Sequence, residues 1–264
     1  MSDLSIVIPA LDEAQKIRRD VESAAAFLAE AGLSGEIIVV DDGSKDGTAE
    51  AARGADIPSG IELNVIRLEE NQGKGQAVRT GVLASSGDVV LFADSGSCVP
   101  FADALPPFRR IRDGELDVAQ ASRRHPETVI RRDRPWRRRL LSRLFHWAAV
   151  FVTRLPRSIG DSQCGFKLYR GDAARELFRA CRTFGFLFDL EIILRARQAG
   201  LRIAEFPVEW TCDLDTRLRP GSDAPRVLRE LLEIRRLTAG GRPPKGHSGS
   251  SGPEDTEESE QGVP

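Results

Sequence analysis

Carboxylates and hydroxyls follow a hydrophobic run near the start of the chain. Asp41 and Asp42 come directly after this apolar run, and glycines, Ser44 and Thr48 stand within a few residues of them. Carboxylates placed there can accept hydrogen bonds from ribose hydroxyls or a base N–H, and glycine lets the backbone turn closely around a ligand. The same residue types also cap turns and helices in proteins that bind nothing. The run therefore predicts either a nucleoside site or a capped turn.

A glycine-rich segment lies further along, where residues 71–75 read Asn-Gln-Gly-Lys-Gly before a helix-like pattern. Backbone N–H groups at a helix start attract a diphosphate, and Lys74 adds a positive charge. A capping glycine beside a solvated lysine is the alternative. Only the order of all the motifs along the chain favours the ligand interpretation of Lys74.

Two polar groups stand in the second half of the chain, Asp161 with Gln163 and Asp189 with Glu191. Asp189 and Glu191 precede an apolar helical pattern, where carboxylates also favour the helix dipole. Transfer of a group to a hydroxyl needs a general base, and Asp189 is the candidate. A phosphate monoester, with a second pKa of about 6, is largely dianionic at neutral pH and needs cations instead. The two kinds of acceptor thus make different demands on Asp189.

The elements that position these residues alternate along the chain. Strands are predicted at 4–8, 36–40, 63–67, 88–93 and 118–122, and helices between them, such as 14–31 and 76–85. Continuous apolar strands separated by helices predict an α/β, Rossmann-like fold with a mostly parallel sheet flanked by helices. Such a sheet binds ligands outside the carboxyl ends of its strands. Asp41, Asp42 and Asp94 all stand at such ends.

The order of these motifs resembles family 2 glycosyltransferases, which have the GT-A fold. The first strand end and the Asp-Asp-Gly-Ser turn match the family opening, although the usual Asn-Glu pair is Asp12-Glu13 here. The glycine-rich segment and the strand that ends at Asp94 follow in the family order. The resemblance implies that a sugar nucleotide is held by residues at these positions: Pro9, Ala10, Glu13, Asp41, Asp42 and Lys74.

The metal motif of the family is incomplete in this sequence. The resemblance implies an Asp-x-Asp that holds Mg²⁺ or Mn²⁺ against the diphosphate, and its first carboxylate is Asp94. The second position is Gly96. Because Mg²⁺ keeps several waters and needs only one or two carboxylates beside phosphate oxygens, a weaker site on Asp94 remains one expectation. Transfer without metal, with Arg or Lys neutralising the leaving diphosphate, is the other.

The motifs of the second half are similar to those of one subgroup, the enzymes that make dolichyl-phosphate or other polyprenyl-phosphate glucose and mannose. The string Asp-Ser-Gln-Cys-Gly-Phe-Lys at 161–167 is the most specific match, and 186–191 and 205–210 add two more. The resemblance implies a UDP-glucose or GDP-mannose donor and a polyprenyl-phosphate acceptor. It carries over four residues as catalytic: Asp94, Asp161, Gln163 and Asp189.

Charge is segregated along the chain, although the formal net charge is only −2. Residues 123–157 are rich in arginine, and Trp136, Trp147 and Phe151 recur there at helical spacing with leucines. This pattern predicts peripheral contact with an anionic membrane through residues 131–155. A core-packed helix with a solvated arginine face is the alternative. A nucleic-acid partner is not expected, because stacking aromatic residues and a basic total charge are both absent.

The sequence also predicts where the protein works. No stretch of about 18 uncharged apolar residues is present to span a bilayer, and a strand-like run that starts at Leu4 leaves no room for a signal peptide. Four scattered cysteines are typical of a reducing compartment. We expect a cytoplasmic protein, peripheral at the inner face of the cell membrane.

One domain and a tail are predicted. Residues 1–237 should form the glycosyltransferase domain, with a nucleotide-binding half over 1–122 and an acceptor and membrane-facing half over 123–237. Residues 238–264 lack periodic apolar side chains and should be a disordered tail. The expected activity is inverting transfer of glucose or mannose to a polyprenyl phosphate. The alternatives are a soluble or lipid hydroxyl acceptor, and a catalytically impaired binding homologue, because Gly96 replaces a carboxylate.

Overall fold

The computed structural model describes residues 2–132, 147–155, 159–212 and 224–239. Strands and helices alternate through the first half, as the hydrophobic pattern predicts. The strands are β1 (Leu4–Ala10), β2 (Gly35–Asp41), β3 (Ile61–Arg67), β4 (Val89–Ala93), β5 (Val118–Ala121), β6 (Val129–Arg132), β7 (Phe166–Arg170), β8 (Ile203–Phe206) and β9 (Glu209–Thr211). The helices are α1 (Ile17–Glu30), α2 (Thr48–Arg53), α3 (Lys74–Ala84), α4 (Leu105–Arg112), α5 over 147–153, α6 (Gly171–Ala180), α7 (Phe188–Gln198) and α8 (Ala224–Thr238).

A seven-stranded sheet in the order β3-β2-β1-β4-β7-β5-β8 forms the centre of the fold. Its pairs are parallel except at β7, which runs antiparallel to both β4 and β5. The mostly parallel α/β sheet expected from the sequence is therefore confirmed. β7 comes from the half of the chain beyond residue 122 and completes the sheet begun by the first half. The division into two halves stays a prediction.

Both faces of the sheet are covered by other elements. Consecutive residues of the inner strands are therefore apolar, because side chains on either face are buried. Ile6 and Ile8 of β1 pack into one core cluster with Leu28 of α1. Val7 packs into a second cluster on the opposite face. Helix α3 approaches that face closely, because a Cβ at Gly81 would lie 2.4 Å from Val7 Cγ1. Helix α3 therefore packs directly on β1 through Gly81.

A third cluster joins α5, α7 and α8 beside the sheet. Ala149 of α5, Leu190 of α7 and Leu231 of α8 belong to its buried part. Trp147 and Phe151 point away from it and are 67% and 85% exposed. The basic helix expected over 136–155 is thus helical at 147–153, and residues 133–146 lie outside the described part of the chain.

The C-terminal segment and the possible membrane contacts were also predicted from the sequence. No helix among the described residues is long and apolar enough to cross a bilayer. The tail expected over 238–264 lies outside the described residues from 240 onward, and α8 ends at Thr238. A small two-stranded sheet of β6 and β9 lies apart from the main one.

Candidate active site

The loops that follow β1 and β2 are joined to each other by hydrogen bonds. The Ser44 hydroxyl accepts the Asp12 N–H at 2.8 Å, and the Thr48 hydroxyl accepts the Glu13 N–H at 2.8 Å. In return the Asp12 carboxylate accepts the Lys45 N–H at 2.9 Å. The two loops that the motifs predict to share a nucleoside are therefore held against each other by their own small polar side chains.

Asp41 and Asp42 lie beneath these loops, and their side chains are buried, at 1% and 3% exposure. Asp41 Oδ1 accepts the Ser44 N–H at 2.8 Å. The two oxygens of Asp42 accept the N–H groups of Gln72 and Gly73, at 2.8 and 3.0 Å. Burial raises the pKa of Asp42, and these two N–H donors oppose the rise. Asp42 thus fixes the segment that leads into Lys74; its contact with a nucleoside stays a prediction.

Lys74 and Asp94 meet at the carboxyl edge, where α3 begins and β4 ends. The Lys74 ammonium lies 2.8 Å from Asp94 Oδ1 and 3.0 Å from Oδ2. Burial opposes the charge of Lys74, but attraction to Asp94 and then Asp189 raises its pKa above the ordinary value. Gly165 backs the pair, because a Cβ there would lie 1.9 Å from Asp94 Oδ2. Only glycine at 165 lets the carboxylate take this position.

The loop after Asp94 bends away toward α1. Gly96 has a φ of 94° and Ser97 a φ of 48°, both in the left-handed region. The Gly96 N–H donates to Asp20 at 2.7 Å, and the Ser97 hydroxyl donates to the other oxygen of Asp20 at 2.5 Å. Asp20 is 1% exposed, and burial raises its pKa. The position of the missing second carboxylate is thus a glycine bend anchored on α1.

These residues fit a divalent cation held by the protein alone poorly. Asp94 supplies one carboxylate, and an ammonium already lies on both of its oxygens. Across the ranges that the structure describes, no group of three or more His, Cys, Asp or Glu side chains could hold a metal ion. Hard cations need several oxygen ligands, so a cation here would depend on oxygens of the donor diphosphate.

A second ion pair lies beneath the first. Lys167 is fully buried, and its ammonium donates to Asp189 and, at 3.1 Å, to the Ser162 carbonyl. The ammonium groups of Lys74 and Lys167 lie 5.4 and 5.9 Å from the centre of the Phe92 ring. Burial raises the pKa of Asp189, while the charge of Lys167 opposes the rise. The residue predicted as a general base is therefore engaged with a lysine inside the protein.

Asp161 is held in a third pair, with Arg123 at the end of β5. The guanidinium donates to both carboxylate oxygens, at 2.5 and 2.6 Å, and the Arg123 N–H donates at 3.0 Å. Burial alone would raise the pKa of Asp161, but the charge and hydrogen bonds of Arg123 lower it. Glu205 accepts the Asp161 N–H at 2.8 Å. Three motifs that are distant in sequence therefore meet here.

Gln163 differs from its neighbours in the same motif. Its side-chain nitrogen is buried and has no hydrogen-bond partner among the described residues. Most buried polar groups in proteins are paired, so an orphaned donor in a site points to a ligand acceptor. The structure thus brings the sequence-predicted residues Asp94, Asp161, Gln163 and Asp189 to the β4, β5 and β7 end of the sheet.

Sequence reasoning missed the cations that hold these acids. In the sequence Arg123 is one of many arginines in residues 123–157, and Lys167 is the last residue of a motif string. Their signal was the placement of each beside a strand of the sheet, Arg123 just after β5 and Lys167 within β7. Asp20 and Gly165 had no comparable signal, because their roles depend on the approach of another segment.

The fold is that of the GT-A glycosyltransferases. A solved structure of glucosyl-3-phosphoglycerate synthase from Mycobacterium tuberculosis, in complex with Mn²⁺, UDP and glucosyl-3-phosphoglycerate, is similar with a TM-score of 0.64. The match covers 90% of this chain and 80% of that chain at 22% sequence identity. It shows the fold and confirms the Rossmann-like architecture expected from the sequence.

The chain belongs to glycosyltransferase family 2, whose profile, Glycosyl transferase family 2, matches residues 5–178. A dolichyl-phosphate beta-glucosyltransferase of Drosophila melanogaster is 35% identical over 249 residues, covering 88% of this chain and 74% of that protein. One of Dictyostelium discoideum is 32% identical over 252 residues, covering 88% and 73%. The resemblance to family 2 and to its polyprenyl-phosphate subgroup is confirmed, and the protein is a glycosyltransferase.

Proposed function

We propose that this protein transfers glucose from UDP-glucose to a polyprenyl phosphate, with inversion at the sugar carbon. The glucosyl unit and the lipid phosphate are those in the names of the dolichyl-phosphate beta-glucosyltransferases to which the chain is similar. UDP is the nucleotide of the solved neighbour. GDP-mannose is the second donor compatible with the sequence.

The observation that carries the proposal is that each carboxylate predicted as catalytic from the sequence is paired with a cation. Asp94 contacts Lys74, Asp161 contacts Arg123, and Asp189 contacts Lys167. A hydroxyl acceptor needs a carboxylate that takes up its proton. A phosphate acceptor is already an anion, and it needs positive charge that counters its repulsion from the donor. The arrangement of these three pairs suits the second acceptor.

The chemistry then assigns each part a task. The hydrogen-bonded loops at residues 12–13 and 44–48 hold the nucleoside, and Lys74 at the start of α3 faces the diphosphate. Gln163 donates to an oxygen of the substrates, which satisfies its orphaned amide. Arg123, oriented by Asp161, holds the acceptor phosphate near the sugar carbon. Asp189 and Lys167 are positioning residues, because both are buried beneath the site.

Membrane contact belongs to the same proposal. Trp147 and Phe151 of α5 are strongly exposed, and Leu228 and Leu232 of α8 are 51% and 43% exposed. Buried residues of these two helices belong to the same third cluster. Exposed tryptophan, phenylalanine and leucine with flanking arginine are typical of a helix that lies in a membrane interface. We place this surface and residues 131–155 on the anionic cytoplasmic face of the cell membrane, where a lipid phosphate is delivered.

Radiolabelled sugar transfer tests the proposal directly. The purified full-length protein is incubated with UDP-glucose or GDP-mannose and polyprenyl phosphate in detergent, and the lipid product is quantified. We expect glucosyl lipid from UDP-glucose, with the β configuration shown by the anomeric NMR signal of the intact product. Formation of product only from GDP-mannose would show that GDP-mannose, and not UDP-glucose, is the donor. Sugar transfer to alcohols but not to lipid phosphate would replace the acceptor, and binding of UDP without any transfer would indicate a non-catalytic homologue.

A double variant separates base catalysis from positioning at Asp189. Asp189→Asn alone leaves the buried Lys167 ammonium without a counter-charge, a loss that costs about 3 to 5 kcal/mol of stability. Asp189→Leu with Lys167→Met removes both charges together and keeps an apolar fill. We expect this double variant to fold and retain transfer to phosphate within about tenfold, because no base is required. A general base at Asp189 predicts a loss of about a hundredfold or more.

A further inference from the structure

The donor end of the site is built around an ammonium instead of a second carboxylate. The Lys74 side chain is 24% exposed and that of Asp94 is 33% exposed, so their pair lies at the mouth of the site. Both Asp94 oxygens lie within 3.0 Å of the Lys74 nitrogen. Lys74, the first residue of α3, therefore occupies the side of the Asp94 carboxylate that a cation would bind.

The missing carboxylate is not a simple substitution in an otherwise preserved metal loop. Gly96 has a φ of 94°, a conformation that side-chain-bearing residues rarely adopt. Its N–H and the Ser97 hydroxyl are both bound by Asp20 of α1, at 2.7 and 2.5 Å. The loop is thus shaped for glycine and tied to α1, so an aspartate at 96 would be strained.

We propose that the Lys74 ammonium, positioned by Asp94, supplies the charge that stabilises the leaving diphosphate, so that this protein transfers sugar without a divalent cation. This inference rests on the proposed function, since it concerns the donor of the same site. An acceptor phosphate oxygen forms a bond to the sugar carbon C1, and the bond from C1 to the β-phosphate oxygen of UDP breaks. The electron pair of that bond stays on UDP, where the Lys74 N–H groups donate to the developing charge. No proton or further reactant is needed for the step to balance.

Fixed donors aimed at developing charge need no reorganisation during the reaction, and this makes an ammonium an effective substitute for a cation. Phe92 strengthens the arrangement, because the ring face lies 5.4 Å from the Lys74 nitrogen in a fully buried position. Burial is the largest single effect on the Lys74 pKa and lowers it, but the charges of Asp94 and Asp189 and the hydrogen bond to Asp94 together raise it, which keeps Lys74 charged. The alternative is a cation that arrives with the diphosphate and binds Asp94 after displacing Lys74.

Binding and turnover of the unmodified protein distinguish the two. UDP affinity is measured by calorimetric titration in EDTA and in Mn²⁺, and turnover is measured under both conditions. We expect UDP affinity and turnover in EDTA to remain within about twofold of their values in Mn²⁺. A loss of tenfold or more in EDTA that Mn²⁺ restores would overturn the inference. Because the UDP titration needs no acceptor, it remains decisive even if no lipid product forms and the proposed function fails.

Substitutions assign the effect to Lys74. Lys74→Met should weaken UDP binding in EDTA by about tenfold or more, and Lys74→Arg should recover most of it, since a charged donor is retained. Arg53→Met, which removes a half-exposed cation from α2, is the matched control and should leave the affinity unchanged. Gly96→Asp should not gain Mn²⁺ dependence, because its loop is strained. Equal UDP affinity for Lys74→Met and the unmodified protein would refute the role of Lys74, and so would a Gly96→Asp variant that becomes Mn²⁺-dependent with its stability intact.

Discussion

Gln163 presents a conflict between stability and function at the scale of one residue. Its buried amide nitrogen has no partner among the described residues, so the folded protein carries the desolvation cost of that group. Gln163→Leu should leave the free energy of unfolding unchanged or raise it by up to about 1 kcal/mol, because that cost disappears. The same variant should lower kcat/KM by about tenfold, because a donor to substrate is lost. Urea unfolding and steady-state kinetics give the two values.

The control for Gln163 is a glutamine that is satisfied. Gln198 donates to the Thr238 carbonyl, so it joins α7 to α8. Gln198→Leu should therefore reduce stability and leave kcat/KM unchanged, the reverse of the pattern at Gln163. A Gln163→Leu variant that is both destabilised and fully active would show that the amide has an unseen structural partner and no substrate.

Substitution of Asp42 tests whether this carboxylate supports UDP binding or serves only to stabilise the turn. Asp42→Asn keeps the shape but turns an amide group toward the Gln72 and Gly73 N–H donors, so it should cost about 1.5 to 3 kcal/mol of stability. We expect UDP affinity to fall as well, because the segment that carries Lys74 loses its anchor. Calorimetric titration with UDP and urea unfolding measure the two effects. Asp172→Asn, which alters a carboxylate that accepts the Ala173 N–H in the first turn of α6, is the control and should leave UDP affinity unchanged. Lost stability with unchanged affinity would leave Asp42 as a turn cap only.

Individual acids could be predicted from the sequence, whereas their partners could not. Asp94, Asp161 and Asp189 stand in motifs with a fixed order, and a motif identifies a residue without its surroundings. Whether such a carboxylate is free or paired depends on which cation the fold brings within reach. Lys167 reaches Asp189 only because β7 enters the sheet next to β4. That placement is a property of topology and leaves no trace in local sequence.

At the scale of elements, the turn before β7 determines where Asp94 can lie. A Cβ at Gly165 would meet Asp94 Oδ2 at 1.9 Å, so Gly165→Ala should displace the carboxylate from Lys74. We expect kcat to fall by about a hundredfold with a melting temperature lowered by only a few degrees. Gly160→Ala is a matched control in the preceding turn, because its Cβ would come no nearer than 3.2 Å to another atom, Glu205 Oε2. Equal activity of the two variants would contradict the placement of Asp94.

Asp117 joins the other ends of β5, β7 and β8 and gives a pH-dependent contribution to stability. Hydrogen bonds from Arg202, together with the charges of Arg170 and Arg202, lower its pKa below the ordinary 3.8. The ionised carboxylate therefore stabilises the fold fully above about pH 3.8, and this contribution is lost as the pH falls through the folded pKa. Asp117→Asn should cost about 1 to 3 kcal/mol at pH 7, and the difference from the unmodified protein should shrink toward pH 3.

Urea midpoints of Asp117→Asn and the unmodified protein between pH 3 and 7 measure this dependence. The exposed carboxylate Asp113 provides the control, and Asp113→Asn should follow the unmodified protein throughout. A stability difference that is constant over the whole range would mean that the charge of Asp117 does not contribute. The loss would then reflect the shape of the side chain alone.

Elements in the first half were predictable because each repeats a simple pattern. The runs at 4–8 and 36–40 are continuous and β-branched, and they became β1 and β2 with bounds extended by one to two residues. β7 was noted only as part of a motif, because Phe-Lys-Leu-Tyr-Arg combines a buried lysine with apolar neighbours and does not read as an inner strand. Its antiparallel direction could not be predicted, since direction depends on a long connection and not on composition.

The sequence of the whole molecule has an arginine-rich region at residues 123–157, and if this region binds an anionic membrane, salt should control the binding. Replacement of Arg137, Arg138 and Arg139 by Gln should weaken partitioning onto anionic vesicles by about 3 kcal/mol, on the order of a hundredfold. The apparent KM for lipid phosphate should rise, while hydrolysis of UDP-glucose without acceptor should be spared. Vesicle sedimentation at low and high salt and acceptor titration measure these effects.

The control for this region removes the same number of charges elsewhere. Replacement of Arg18, Arg19 and Arg53 by Gln alters the surface of α1 and α2, and it should leave vesicle binding unchanged. Equal partitioning of the two triple variants would mean that the arginine-rich region is an ordinary solvated surface. The apolar side chains of Trp147 and Phe151 would then need a different explanation.

The position of β7 also determines when the sheet can be completed as the chain emerges from the ribosome. β4 and β5 are not hydrogen-bonded to each other, and β7 fills the gap between them from a segment made much later. Until that segment is available, the nascent chain holds β4 with one open edge and an apolar surface around Phe92. Open strand edges pair readily with other chains. Completion of the fold is therefore a late event in translation, and an interrupted or stalled chain would be prone to aggregate through the unpaired edge of β4.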